Sequence, residues 1–221
     1  MGSGFSIAMR DLDIRGAGNL LGGEQSGFIS DIGYETYQKI LDEALQELKE
    51  TSFKELYKID EDVNYSYVND CTIETDLELL IPDGYINNVT ERLILYRELD
   101  DIKEEIPLQE FRLSLIDRFG PLHKSTEELI NTIRLRWLAK DIGFEKLILK
   151  QKKLIGHFIA NPKSPFYESA KFTRVLKYIE KHHRIAKMEE KNGRLQINYE
   201  NIGGIQQALD KLKVIVDIFN L

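Results

Sequence analysis

Cysteine is almost absent from this chain: Cys71 is the only one among 221 residues. A single thiol builds neither an internal disulfide framework nor a cysteine metal cage, and such sparse usage leads us to expect the cytoplasm. Long apolar runs are missing too. None approaches the roughly 18 residues that cross a bilayer, so no membrane partner is expected. The first residues, Met1-Gly2-Ser3-Gly4-Phe5, have neither the basic n-region nor the apolar h-region of a secretory leader. Positive charge is in deficit, with a formal net charge of −7. That argues against the chain as a whole being an autonomous nucleic-acid binder, because neutralising phosphates needs clustered Lys and Arg. No phosphate-loop ending in Gly-Lys-Ser/Thr occurs, and there is no internal repeat or low-complexity tract.

What is present is an ordinary globular composition, 42% hydrophobic and 30% charged, in a chain long enough for one large domain or two small ones. Its charge is uneven. From Glu145 to Arg194 there are 13 Lys and Arg against 5 Asp and Glu. This local excess of +8 leaves −15 for the remainder, a pattern suited to polar docking between proteins.

The densest motif lies near the start: Ile14-Arg15-Gly16-Ala17-Gly18-Asn19-Leu20-Leu21-Gly22, then Glu24-Gln25-Ser26-Gly27. Four glycines bend the backbone tightly while Arg15 and Gln25 present polar groups. A dinucleotide-binding loop needs a core strand before it and a different glycine spacing. Here polar Arg10-Asp11-Leu12-Asp13 precedes a GxGxxxG pattern. A plain glycine-rich turn accounts for the glycines, but not for Arg15 and Gln25 so placed.

Residues 4–13 read as a short extended segment. From Tyr34 the apolar residues Tyr37, Ile40, Leu41, Ala44, Leu45 and Leu48 recur at helical spacing. This helix is expected to reach about Glu50 and to resume through Lys58. Residues 59–71 are acidic and aperiodic, a linker and domain boundary. A strand is expected over Thr72 to Ile81, then a turn at Pro82-Asp83-Gly84-Tyr85. Three helices follow. The first spans Val89 to Glu104. The second has Pro107 in its first turn, an apolar face of Leu108, Phe111, Leu115 and Phe119, and a stop at Gly120-Pro121. The third opens on a capping box of Ser125 and Glu128, buries Leu129, Ile133, Trp137 and Leu138, and stops at Gly143. Beyond it, Phe144–Leu149 and Leu154–Ala160 read as strands. Ser164-Pro165 opens a helix carrying Ala170, Val175, Leu176 and Ile179. Asn192-Gly193 joins the strands Ile185–Glu190 and Arg194–Tyr199 as a hairpin, and a helix from Ile205 to Phe219 closes the chain.

Residue by residue, nothing here makes an active site. His123, His157, His182 and His183 lack zinc-ligand spacing and read as a basic solvated face. Asp11/Asp13 and Asp100/Asp101 read as solvated carboxylates. Cys71 sits in an acidic stretch that raises its pKa, and Trp137 reads as core.

The segment from Arg10 to Gly22, with Gln25-Ser26-Gly27, resembles the TRG ("translocation in RecG") motif, which follows the second motor lobe in RecG and in bacterial transcription-repair coupling factors. The downstream segments Leu79-Leu80-Ile81-Pro82-Asp83-Gly84-Tyr85-Ile86, Arg92-Leu93-Ile94-Leu95-Tyr96 and Leu115-Ile116-Asp117-Arg118-Phe119-Gly120-Pro121-Leu122 resemble the C-terminal domain of the coupling factors, whereas RecG ends soon after the motif. The resemblance implies an α+β chain. A glycine-rich TRG helical hairpin and helix occupy residues 1–58, a linker 59–71, and a compact domain of helices with a small antiparallel sheet 72–221. It also implies a longer protein, an ATP-driven double-stranded DNA translocase that displaces stalled RNA polymerase and recruits UvrA, with ATP and magnesium bound elsewhere in it. In that setting Arg15 and Gln25, with Arg10 and the glycines Gly16, Gly18 and Gly22, couple nucleotide state to movement on DNA. The C-terminal domain packs on a UvrB-like N-terminal module and masks its UvrA-binding surface. The motor motifs are absent, so the chain is expected to be a C-terminal fragment, with no catalytic residue, cofactor or metal of its own. The alternative is a RecG-like helicase fragment.

Overall fold

A computed structural model describes residues 67–217. The TRG candidates Arg10, Arg15, Gly16, Gly18, Gly22 and Gln25, and the helix expected over residues 34–58, lie outside the described residues.

The described chain begins with strand β1 (Thr72–Thr75), followed by helices α1 (Val89–Asp101), α2 (Glu105–Phe119) and α3 (Lys124–Ile142). Strands β2 (Phe144–Lys150) and β3 (Lys153–Phe158) come next. A 3₁₀ turn (Pro165–Glu168) leads into α4 (Ala170–Lys181), then β4 (Ala186–Lys191), β5 (Arg194–Glu200) and α5 (Ile205–Asp217). The class is α+β, but the sheet is larger than expected and not purely antiparallel. Five strands run in the order β1-β2-β3-β5-β4. β1 lies parallel to β2, with Thr72 opposite Lys146 and Thr75 opposite Leu149. The parallel pairing follows from the connection: the crossover through α1, α2 and α3 brings the chain back in the same direction.

β1 is also shorter than its alternating sequence suggests. After Thr75 the chain turns away: the Thr75 hydroxyl accepts the Leu77 N–H at 3.0 Å, and the Asp76 carboxylate accepts the Gln151 N–H at 2.9 Å. The freed segment is then held by side chains of the helices. Tyr96 Oη accepts the Ile81 N–H at 2.8 Å, and Ser125 Oγ donates to the Leu80 carbonyl at 3.0 Å. The turn at Pro82 forms as read, with the Tyr85 and Ile86 N–H groups both donating to the Pro82 carbonyl.

The apolar face of α2 packs largely as its periodicity dictates, but of the residues read as buried in α3 only Ile133 is; Leu129, Trp137 and Leu138 are half-buried, and Ile130, Leu135, Ala139 and Ile142 take the interior. Leu108, Phe111 and Leu115 of α2 are buried with Leu95 and Leu99 of α1, Ile130 and Ile133 of α3, and Ile81 and Ile86 of the preceding segment. Phe119 and Trp137 pack at the margin of this cluster. Pro107 stands in the first turn of α2, where its missing N–H leaves no bond unmade. α1 stops at Asp101, capped at its start by Asn88, whose side chain accepts the Glu91 N–H at 3.1 Å. The capping box at Ser125 is not used. His123 is the N-cap of α3, and Ser125, freed from that duty, ties the helix to Leu80.

α3 belongs to two cores. Its first half faces the helical cluster, while Leu135, Ala139 and Ile142 join α4, α5 and one face of the sheet. Gly143 ends α3 at φ +97°, where a Cβ would lie 2.3 Å from the Phe166 ring. Gly156 likewise leaves room for the Phe144 ring on the sheet. Phe144, Phe158, Phe166 and Phe172 stack edge and tilt against one another at centroid distances of 4.8 to 5.8 Å. Val68 and Cys71, read as the end of a linker, are buried in this same layer.

The helix expected from Ser164 is broken. Ser164 caps only the 3₁₀ turn, and Ser169 starts α4 afresh by accepting the Phe172 N–H at 3.2 Å. The phase shift puts Phe172, Val175 and Tyr178 inside, while Ala170 and Leu176 face out. The Asn192-Gly193 hairpin forms with both residues at positive φ, pairing Lys191 with Arg194.

Candidate interaction surfaces

The TRG residues lie outside the described part, and the surfaces considered are those of residues 67–217. Among the described residues, no three His, Cys, Asp or Glu side chains gather to hold a metal ion. Cys71 is buried, and its thiol is pushed up to about 12, first by burial and then by the Asp70 carboxylate beside it. The direction is the one read from the sequence, with desolvation as the larger cause. The histidines divide. His123 caps α3, His183 is exposed, and His182 stacks on Tyr178 at 4.3 Å. His157 is half-buried in β3, and burial, aided by the charges of Arg194 and Lys146, lowers its pKa.

The first candidate surface lies on the helical cluster. A groove between α1 and α3 is lined by Leu93, Tyr96, Leu99, Leu129 and Ile133, with Arg97 and Asp100 at its rim. Leu93 and Ile94 are each more than half exposed. These apolar residues sit beside a rigid charge frame. Arg92 pairs with Asp83 at 2.7 Å, Arg134 with Glu105 at 2.6 Å, Arg136 with Asp100 at 2.6 Å, and Arg118 with Glu91. The pairs cross from one element to another, and the acids of three of them are more than half exposed. Ordinary exposed pairs add little stability. Sequence reading found α1 but not its exposed face, because helical period alone does not say which apolar residues lack a neighbour.

The second surface is the sheet face turned away from α3, α4 and α5. Alternation places Glu74, Lys146, Ile148, Ile155, His157, Gln196, Asn198, Glu189 and Lys187 on it. Lys146 and Lys150 both reach Glu74, at 2.6 and 3.0 Å, and hold its carboxyl down at about 2. Glu189 accepts the side-chain amides of Gln196 and Asn198 at 2.7 and 2.6 Å. Most of its charges are thereby spent on each other.

The third surface is a cleft at the end of the β4–β5 hairpin beside α5. Arg184, Ile185, Lys187, Asn198, Tyr199, Glu200, Asn201 and Lys211 line it. Arg184 and Lys187 belong to the basic stretch counted in the sequence, and Lys211 joins them from α5, beyond it.

Comparison with known proteins gives one consistent set of likenesses. Residues 75–169 match the model of the TRCF domain family. The transcription-repair-coupling factor of Rickettsia conorii is 32% identical over 193 residues, covering 87% of this chain and 16% of that protein. That of Escherichia coli K12 is 38% identical over 150 residues, covering 66% and 12%. That of Staphylococcus epidermidis is 31% identical over 219 residues, covering 98% and 17%. The chain thus spans less than a fifth of the length of these three relatives. A crystal structure of the C-terminal domain of transcription-repair coupling factor superposes with a TM-score of 0.55 at 15% identity, covering 68% of this chain and 94% of that one. At that identity the likeness speaks for the fold.

Proposed function

From the premise that the chain belongs to the transcription-repair coupling factor family and corresponds to its C-terminal part, we propose that residues 72–221 are a regulatory clasp within a longer DNA translocase. In this reading the whole protein displaces stalled RNA polymerase and recruits UvrA. The clasp covers the UvrA-binding face of a UvrB-like module until the machine engages. The observation that supports it is the α1–α3 groove, lined by half-exposed Leu93 with Arg97 and Asp100, and the neighbouring exposed Ile94 on the same helix. A modest apolar strip bordered by charge binds specifically yet releases, whereas a large apolar interface would stay shut. A RecG-like helicase fragment is not favoured, because the matched domain lies beyond the TRG segment.

The segment from Arg10 to Gly27 serves the motor in this proposal. Arg15 and Gln25, supported by Arg10, hydrogen-bond between motor lobe and loop, and Gly16, Gly18 and Gly22 let the loop switch. ATP and magnesium belong to the motor and not to this chain.

The test is UvrA capture by the full-length protein. Replacing Leu93 and Ile94 by Asp is expected to raise UvrA binding as far as deletion of residues 72–221 does. Affinity unchanged by both alterations would remove the clasp. For the motor segment, Arg15→Ala is expected to impair polymerase displacement more than ATP hydrolysis, and equal loss of both would point instead to a folding or nucleotide-site role.

A further inference from the structure

The cleft beside α5 is not used by the clasp. The side chains of its three cations, Arg184, Lys187 and Lys211, make no ion pair or hydrogen bond among the described residues. Elsewhere in the domain most arginines are already committed to carboxylates. The acid in the cleft wall, Glu200, is neutralised by Lys153 at 3.1 Å. Asn201 adds an exposed amide on a backbone held at φ +62°. An Arg fork, two ammonium groups and an amide round a concavity make a binding set for a tetrahedral oxyanion.

More positive charge stands just before the cleft in the chain. Lys181 and Lys177 precede it on α4, both exposed and both without an ion pair among the described residues. They stand one helical turn apart, about 6 Å of rise. Glu180 is the one acid between them. A line of cations fits a repeating anion better than a single one. The tyrosines nearest this line, Tyr178 and Tyr199, are buried. The imidazole of His183 is exposed beside the line, but no exposed Phe, Tyr or Trp ring offers a stacking platform there, so the line suits the outside of a duplex rather than a single strand.

We propose that the cleft formed by Arg184, Lys187, Lys211 and Asn201, continued by Lys181 and Lys177, binds the phosphate backbone of double-stranded nucleic acid without regard to sequence. The net charge of −7 opposes such binding over the whole surface, so the contact is local, weak at physiological salt and steeply salt-dependent. This inference is independent of the clasp, whose test reads UvrA capture.

The experiment is fluorescence anisotropy of a labelled 24-base-pair duplex with the full chain, from about 30 to 200 mM salt. Arg184→Glu with Lys187→Glu is expected to weaken binding at least tenfold at low salt and to reduce the log–log salt slope by about two. Arg184→Gln, which removes one charge and adds none, should reduce the slope by about one. The control Lys103→Glu, in the α1–α2 connection, should leave both unchanged. Because Arg184 and Lys187 are exposed, unchanged thermal melting checks that the variants fold. Duplex binding indifferent to the cleft substitutions, or no binding at about 30 mM salt, would overturn the proposal. So would tripolyphosphate or polyglutamate competing as well as duplex at equal ionic strength, which would assign the cleft to free phosphate or to an acidic protein.

Discussion

Gly143 shows how much one residue decides. It ends α3 in the left-handed region and lets the Phe166 ring sit against its Cα. Gly143→Ala combines a strained backbone with a collision inside the aromatic cluster, so a loss of about 2–4 kcal/mol is expected in urea unfolding. The sequence marked this glycine as a helix stop, but the ring behind it could not be read, since Phe166 comes from 23 residues later in the chain. Ser125 teaches the reverse lesson. Its spacing from Glu128 matched a capping box, yet His123 took the cap, and Ser125 donates to Leu80 instead. Local spacing permits a cap, and competing partners 45 residues away decide whether it is used. Cys71 was legible in direction, although the largest cause of its shift is burial that only the fold creates.

At the scale of elements, turn chemistry was legible where special residues mark it. Asn192-Gly193 forms its hairpin as read. The tight turn between β2 and β3 uses Gln151 and Lys152, both at positive φ, and no sequence signal announced it. It is held from outside, by Asp76 accepting the Gln151 N–H and by the Lys152 carbonyl accepting the Ile202 N–H, both at 2.9 Å. Replacing Gln151-Lys152 by Asn-Gly is expected to stabilise the protein by about 1 kcal/mol in thermal or urea unfolding, because those residues adopt the required backbone at less cost. The parallel pair β1–β2 gives a pH prediction. Glu74, bonded to Lys146 and Lys150, has its pKa lowered from 4.5 to about 2. A carboxylate depressed on folding stabilises above its unfolded pKa, and the contribution fades as pH falls through its folded one. Glu74→Gln should therefore destabilise at neutral pH, with the gap from wild type closing between about pH 4.5 and pH 2 and shrinking in high salt.

On the scale of the whole molecule, α3 is the beam shared by two cores. The helical cluster rests on Ile130 and Ile133, and the sheet layer on Leu135, Ala139 and Ile142. The two cores should therefore unfold together. Trp137, the only tryptophan, reports on the helical side, and methyl resonances of Leu212 report on the sheet side. Their urea transitions are expected to coincide. Leu115→Ala and Leu212→Ala should each shift both probes by the equivalent of about 2–5 kcal/mol. Separate midpoints would show two independent domains. The proposed clasp and the proposed duplex-binding cleft belong to this scale as well, since each is lined by residues from more than one element.

The sequence by itself determined the family, the α+β class, most helices, the hairpin and the local excess of positive charge, because periodicity, turn residues and motif order act over short stretches of chain. Only the tertiary structure decided that β1 pairs parallel to β2, that α3 serves two cores, that Leu93 and Ile94 stay uncovered, and that Arg184, Lys187 and Lys211 meet around one cleft. Those outcomes depend on which distant residues compete for the same space and the same hydrogen bonds, and that competition is settled only when the chain closes on itself.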